Sequence, residues 1–228
     1  MKFMLDTADL TLIRQYRDMI PYTGVTSNPA LIRKAGIRSG LFETFREIRR
    51  CIGPDKSLHM QVVSHDSEEM IREAMYMRRM VDEDISIKVP VTPDGMKAMK
   101  YLKAQGVRLT ATAVVTQVQA MLALELEPDF IAPYYETMCD LGTDGEEIIG
   151  MLAETVKKES LKTEVLAANI KNMDQLKRVC RAGAHSVTLN PQLLEQALQE
   201  PAISKAVRFF DDAWQEIFGE TRLTEIND

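Results

Sequence analysis

Asp84-Ile85-Ser86-Ile87-Lys88-Val89-Pro90-Val91-Thr92-Pro93 is, from Ile85 to Val91, apolar and β-branched around a single cation. Side chains alternate faces along a strand, so Ile85, Ile87 and Val89 share one side and Ser86 and Lys88 share the other. Thr92-Pro93 then reads as a helix start, a hydroxyl N-cap followed by proline at the first helical position. The stretch is a short buried strand that brings a lysine to its C-terminal end just before a helix. Taken alone, such a lysine usually snorkels to solvent from an edge strand. The rest of the chain decides otherwise.

The same strand-then-helix unit recurs in both directions. Upstream, residues 2–6 read as a strand, followed by a helix with Leu12, Ile13, Tyr16, Met19 and Ile20 on one face. Residues 22–25 form a second strand that ends in the turn signal Thr26-Ser27-Asn28-Pro29, with a helical region around 41–52. Residues 58–63 form a third. Asp66-Ser67-Glu68-Glu69 then opens a helix striped by Met70, Ala74, Met77 and Val81. Downstream, the helix of the lysine strand stops at Gly106, and strands are expected at 107–114, 129–134, 163–169 and 185–189. The last closes with Thr188-Leu189-Asn190-Pro191, which echoes 26–29. A final amphipathic helix over 202–218 carries Val207, Phe210, Trp214 and Ile217.

Eight such units with no intervening linker predict one parallel α/β domain, and eight favour a closed (β/α)8 TIM barrel over an open doubly wound sheet. No Gly-rich dinucleotide fingerprint follows the first strand, which also argues against the open sheet. The expected domain runs over 1–219 with its C-terminal helix, and 220–228 is a polar tail.

Composition narrows the function classes. The 228 residues carry a net charge of −6, which is not the basic footprint of a nucleic-acid binder. No apolar run reaches the length of a membrane span, and the start Met1-Lys2-Phe3-Met4-Leu5-Asp6 meets a charge too early for a signal peptide. Cys51, Cys139 and Cys180 fit no zinc spacing and no disulfide framework; they are expected to be reduced, buried thiols in a cytoplasmic protein. No cofactor and no metal site is expected.

In a barrel, polar residues at the C-terminal strand ends face the active-site mouth. Strand parity selects Asp6, Asn28, Gln61, Lys88, Thr112, Tyr134 and Asn169. Each alone has a plain structural use, as a cap, a packed phenol or an inter-strand hydrogen bond. Seven on one rim argue for a site. Apolar enclosure disfavours a lysine cation, and active sites tune such amines to about 7–8. A neutral amine attacks a ketone and forms an iminium, an electron sink that lets the adjacent C–C bond break. Tyr134, Gln61 and Thr112 are suited to hold a water and move protons. Asp6 is suited to take a proton or orient a hydroxyl, and Asn28 to bind a hydroxyl or the lysine nitrogen.

The motifs Leu5-Asp6-Thr7, Gly24-Val25-Thr26-Ser27-Asn28-Pro29, Ile87-Lys88-Val89-Pro90-Val91-Thr92, Thr112-Ala113-Val114, Ile131-Ala132-Pro133-Tyr134 and Val165-Leu166-Ala167-Ala168 together resemble the small-transaldolase and fructose-6-phosphate aldolase family. The resemblance runs almost end to end, through Trp214 and Phe218-Gly219. It implies a (β/α)8 barrel with Lys88 as the Schiff-base lysine, Asp6, Tyr134, Gln61 and Thr112 around it, and Thr26, Asn28, Ala132, Thr137 and Asn169 toward the substrate. It also implies homo-oligomers, pentamers or paired decamers, with the last helix on a neighbour. Transaldolases of the family resemble one another in a glutamate on the third strand and usually a phenylalanine on the sixth. Gln61 and Tyr134 look like the aldolase branch, which releases free dihydroxyacetone. The chain departs from that branch at Thr137, where arginine is common, at Asn169, where serine is common, and at Val115, where an aromatic is frequent.

The leading expectation is a metal-independent class I aldolase acting on a ketose and aldehydes through Lys88. The alternatives are a transaldolase moving dihydroxyacetone between sugar phosphates, and a non-catalytic sugar-binding or scaffold barrel.

Overall fold

The structure, a computed structural model, describes residues 1–226. The chain divides into two compact units, Met1–Pro191 and the segment from Gln192 onward. The first is a closed barrel of parallel strands in sequence order: β1 (Lys2–Asp6), β2 (Gly24–Thr26), β3 (Ser57–Gln61), β4 (Ser86–Pro90), β5 (Leu109–Val114), β6 (Phe130–Pro133), β7 (Glu164–Ala167) and β8 (Ser186–Leu189). β8 pairs with β1 through Lys2↔Ser186 to Leu5↔Leu189, which closes the ring. The expected (β/α)8 barrel is present, and each expected strand is found, mostly trimmed by one or two residues at its ends.

The helices form because apolar stripes at helical spacing meet the outer faces of the strands. The helix Leu41–Ile52 buries Phe45, Ile48 and Ile52, and the helix Ser67–Met80 buries Met70, Ala74 and Met77. Asp66 caps the latter by accepting from Glu68 N and Glu69 N. On β4, Ile87 and Val89 are fully buried on the helix side; burying one such side chain contributes about 1.5–3 kcal/mol. The opposite face of the same strand carries Ser86 and Lys88 into the barrel interior.

Three short helices lay outside the sequence reading: Pro29–Lys34, Tyr135–Asp140 and Pro191–Leu198. The first two sit between a strand and the next long helix, and are too short to show a periodic stripe. The thiols also differ from expectation. Cys139 and Cys180 are exposed and Cys51 is half-buried, because none of the three falls on the buried stripe of its helix.

In the second unit, the helix Pro201–Phe218 matches the expected last helix, and a 3-10 turn follows at Leu223–Glu225. The tail expected over 220–228 runs beyond the described residues at 227 and 228. Among the described residues no helix is long and apolar enough to cross a membrane.

Candidate active site

Lys88 is 4% exposed. Its register partners are Gln61 on β3 and Thr110 on β5. Its side-chain amine makes no ion pair or hydrogen bond to the described residues. The chain behind it is anchored at once: Thr92 Oγ1 accepts from Gly95 N at 3.0 Å and opens the helix Pro93–Ala104.

On one side of the lysine, Thr112 Oγ1 donates to Tyr134 Oη at 3.0 Å, which joins the expected acid–base pair across β5 and β6. Gln61 Oε1 is buried without a hydrogen-bond partner in the protein, an acceptor left open at the lysine's register neighbour. Two tyrosines are adjacent here, and they part company. Tyr135 turns outward, where its ring meets the site a Cβ on Gly145 would occupy and its hydroxyl reaches Glu146 at 3.2 Å. Burial, and then the Glu146 charge, pushes the Tyr135 phenol up to about 12. Tyr134 is the one that meets Thr112.

On the opposite side, the Asp6 carboxylate accepts from Thr26 Oγ1 at 2.6 Å, and Thr26 lies 2.6 Å from Thr188 Oγ1. The single Thr26 proton goes to Asp6, so Thr188 donates to Thr26. Asn28 spends its side-chain oxygen as the N-cap of Pro29–Lys34, accepting from Leu31 N at 3.0 Å. Its amide N–H groups are what remain for a substrate. Ala132 is buried on β6. Further out, Asn169 Nδ2 donates to Thr137 Oγ1 at 2.9 Å, so the two family departures meet each other. Asn169 stands in the left-handed region at φ 59°, which asparagine tolerates better than most residues.

Two residues escaped the sequence reading. Gln119 staples the mouth: its Oε1 accepts from Val115 N at 2.8 Å, and its Nε2 donates to Val91 O and Ala113 O at 2.8 and 3.0 Å. These bonds hold the end of β4 against a β5 irregularity, where Ala113 adopts φ 58° and the pairing to β6 shifts between Ala111 and Val114. The spacing Thr116-x-x-Gln119 was the available signal, a capping pattern whose glutamine reaches other backbone groups. The second is His59, fully buried two residues before Gln61. Strand parity places it inward, the only hint it gives.

A cavity of about 360 Å³ opens at the other, N-terminal end of the barrel, between Lys2, Arg49, Ser57, Arg108, Phe130 and Glu164. It is remote from the rim where the polar strand ends gather. Among the described residues no three histidine, cysteine, aspartate or glutamate side chains form a metal-ligand group. The geometry at the rim suits covalent chemistry at an enclosed amine with a phenol–hydroxyl pair beside it.

Comparison with known proteins gives one consistent family. Residues 3–228 match the model of a family described as Transaldolase/Fructose-6-phosphate aldolase. A probable fructose-6-phosphate aldolase from Streptococcus pneumoniae is 41% identical over 214 residues, 94% of this chain and 96% of that protein. A probable transaldolase from Nitrosopumilus maritimus is 34% identical over 221 residues, 96% of this chain and 97% of its own. Another from a Thermoanaerobacter species is 31% identical over 215 residues, 94% of this chain and 97% of its own.

Proposed function

This chain belongs to the transaldolase/fructose-6-phosphate aldolase family, and from that premise we propose that it is a metal-independent class I aldolase, fructose-6-phosphate aldolase-like, with dihydroxyacetone as donor. One observation carries the reading: Lys88 is enclosed at 4% exposure, with no counter-ion among the described residues, at the C-terminal end of a barrel strand. The Lys88 amine attacks the ketose carbonyl; loss of water leaves an iminium. Cleavage of the C3–C4 bond sends its electron pair into the iminium and releases an aldehyde. Asp6 orients or deprotonates the hydroxyl whose oxygen becomes that aldehyde. Tyr134, with Thr112 and a water on Gln61 Oε1, returns a proton to the resulting enamine. Hydrolysis then frees dihydroxyacetone. Thr26, Asn28, Ala132, Thr137 and Asn169 line the substrate. The protein acts as a homo-oligomer in the cytoplasm, where its three free thiols stay reduced.

The test is borohydride reduction in the presence of a ketose, with the adduct located by mass spectrometry, alongside the release of free dihydroxyacetone with no acceptor present. Wild type is expected to be trapped at Lys88 and to release dihydroxyacetone. Lys88→Arg keeps the charge, cannot form the imine and is expected to lose both signals. Tyr134→Phe is expected to be trapped normally but to release dihydroxyacetone about 10²–10⁴-fold more slowly, the usual worth of general acid–base catalysis. Turnover only when an acceptor aldehyde is added, with the dihydroxyacetone unit recovered in a new ketose and none of it free, would identify a transaldolase instead. Substantial cleavage by Lys88→Arg would overturn the reading.

A further inference from the structure

One level below Lys88, the barrel interior carries a run of hydrogen bonds that the reaction scheme above leaves unused. Ser86 Oγ lies 2.8 Å from Thr110 Oγ1, Thr110 Oγ1 lies 2.8 Å from His59 Nδ1, and His59 Nε2 lies 2.9 Å from Ser57 Oγ. Ser86, Thr110 and His59 are buried, and the His59 ring stands edge-on to Phe130 at 4.7 Å. The run crosses β3, β4 and β5, the strands that present Gln61, Lys88 and Thr112. Ser86 precedes Lys88 by two residues on the same face of β4, and Thr110 is the lysine's register partner.

The run has a direction. Ser57 Oγ has two acceptors beyond it, the Thr23 carbonyl at 3.5 Å and the Met4 sulfur at 3.8 Å. It therefore accepts from His59 Nε2–H and donates onward. His59 Nδ1 is then bare and accepts from Thr110, which accepts from Ser86. In the opposite sense the Ser86 proton would find no acceptor among the described residues. Only the first sense gives every donor a partner, as buried polar groups require. Every O–H in the run then points along it from Ser86 toward Ser57, and the Ser86 oxygen, two residues before Lys88 on the same face of β4, is the negative end of the run. Burial, and then the charges of Lys88, Arg108 and Arg49, hold the His59 imidazole well below its ordinary range, so it stays neutral.

We propose that Ser86, Thr110 and His59 are positioning residues: an oriented hydrogen-bond chain whose negative end stabilises the cationic states of Lys88, the resting ammonium and the iminium. The proposal rests on the Schiff-base reading above. Enclosing a cation is costly, and fixed dipoles in a water-poor site offset that cost without reorganising during the reaction. The other charged and titratable groups around the interior are committed elsewhere or act with the opposite sign. Asp6 on β1 is bonded to Thr26, and Glu164 on β7 is ion-paired with Lys2 at 2.6 Å. Tyr134, beyond β6, accepts from Thr112, while at the N-terminal end Arg49 is ion-paired with Asp82 at 2.7 Å and Arg108 adds positive charge.

The experiment measures the rate of borohydride trapping with dihydroxyacetone against pH, in wild type, Thr110→Val and Ser86→Ala. Thr110→Val cuts the chain at its middle with little change of shape; Ser86→Ala removes only its top dipole. Loss of cation stabilisation frees the amine at lower pH. The trapping midpoint is therefore expected to fall, by about half a pH unit or more in Thr110→Val, roughly a threefold gain in free amine at a given pH. A midpoint that stays or rises in both variants would overturn the proposal while leaving the Schiff-base reading intact. A wild type that is not trapped at all would overturn both. Nitrogen NMR of labelled histidine in the wild type gives an independent reading: His59 is expected to carry its proton on Nε2, and a proton on Nδ1 would reverse the chain and refute the idea.

Discussion

The outer end of the mouth shows how much one side chain can decide. Thr137 carries no charge, and its hydroxyl is already engaged by Asn169. The neighbouring Glu136 carboxylate, bonded to Gln175, adds a negative charge to the same turn. Neither suits a phosphate. Hydrogen bonds to a charged group contribute about 1.5–3 kcal/mol, so the absence of one arginine weakens phosphate recognition roughly tenfold to a hundredfold. The expected preference of the wild type in aldol addition is for glyceraldehyde over glyceraldehyde 3-phosphate. Thr137→Arg is expected to move the ratio of kcat/KM toward the phosphate by about tenfold or more, and a wild type that strongly prefers the phosphate would refute the expectation. Lys88, Thr112 and Tyr134 were legible beforehand because strand parity and position late in a strand are properties of the sequence. His59 and Gln119 were not. A lone inward histidine gains meaning only when Thr110, Ser86 and Ser57 are seen around it, and those partners come from three strands. The Gln119 partners lie at the ends of β4 and β5, whose approach no local pattern encodes.

At the scale of the element, the join between β4 and its helix governs the lysine. Thr92 and Pro93 announced it in the sequence; Gly95 did not. A Cβ on Gly95 would lie 1.9 Å from the Pro90 carbonyl oxygen, so the helix Pro93–Ala104 sits as close to β4 as it does only because that residue has no side chain. In an exposed helix, replacing glycine by alanine stabilises by about 0.5–1 kcal/mol. Here the sign reverses. Gly95→Ala is expected to cost about 1–3 kcal/mol, the usual toll of overpacking, and to lower kcat because Pro90 is two residues from Lys88. Urea unfolding at fixed protein concentration checks the first effect, and steady-state cleavage checks the second. A variant as stable as wild type would show that the helix yields freely. Strand existence was legible because β-branched runs recur at regular intervals, whereas strand ends were not. The β5 irregularity at Ala113 is bridged by the Gln119 side chain and leaves no trace in the alternation of side chains.

For the whole molecule, the eightfold count and the absence of a dinucleotide fingerprint were enough to choose a closed barrel over an open sheet. What the count cannot supply is whether any part of the outer surface meets another copy. On the helix Pro201–Phe218, Val207, Phe210 and Ile217 are 50%, 65% and 71% exposed. Trp214 donates to the Thr221 carbonyl at 2.9 Å and packs against Phe218. An exposed apolar stripe of this kind marks an association surface. Removing residues from 201 onward, or introducing Phe210→Glu together with Ile217→Glu, is expected to lower the mass measured by light scattering while the barrel's circular dichroism persists. An unchanged mass in both would refute the expectation that this stripe is an association surface.

The pairing of β1 with β8 has a consequence for how the protein is made. Lys2 meets Ser186, so the ring stays open until nearly the whole barrel has left the ribosome. During that interval both flanking strands present bare N–H and C=O groups to any other nascent chain, the condition that favours strand-to-strand aggregation. Once β8 docks, those edges vanish together. Truncation before Ser186 therefore leaves a permanently unsealed sheet, and the burden on chaperones during synthesis falls on the interval before the eighth strand emerges.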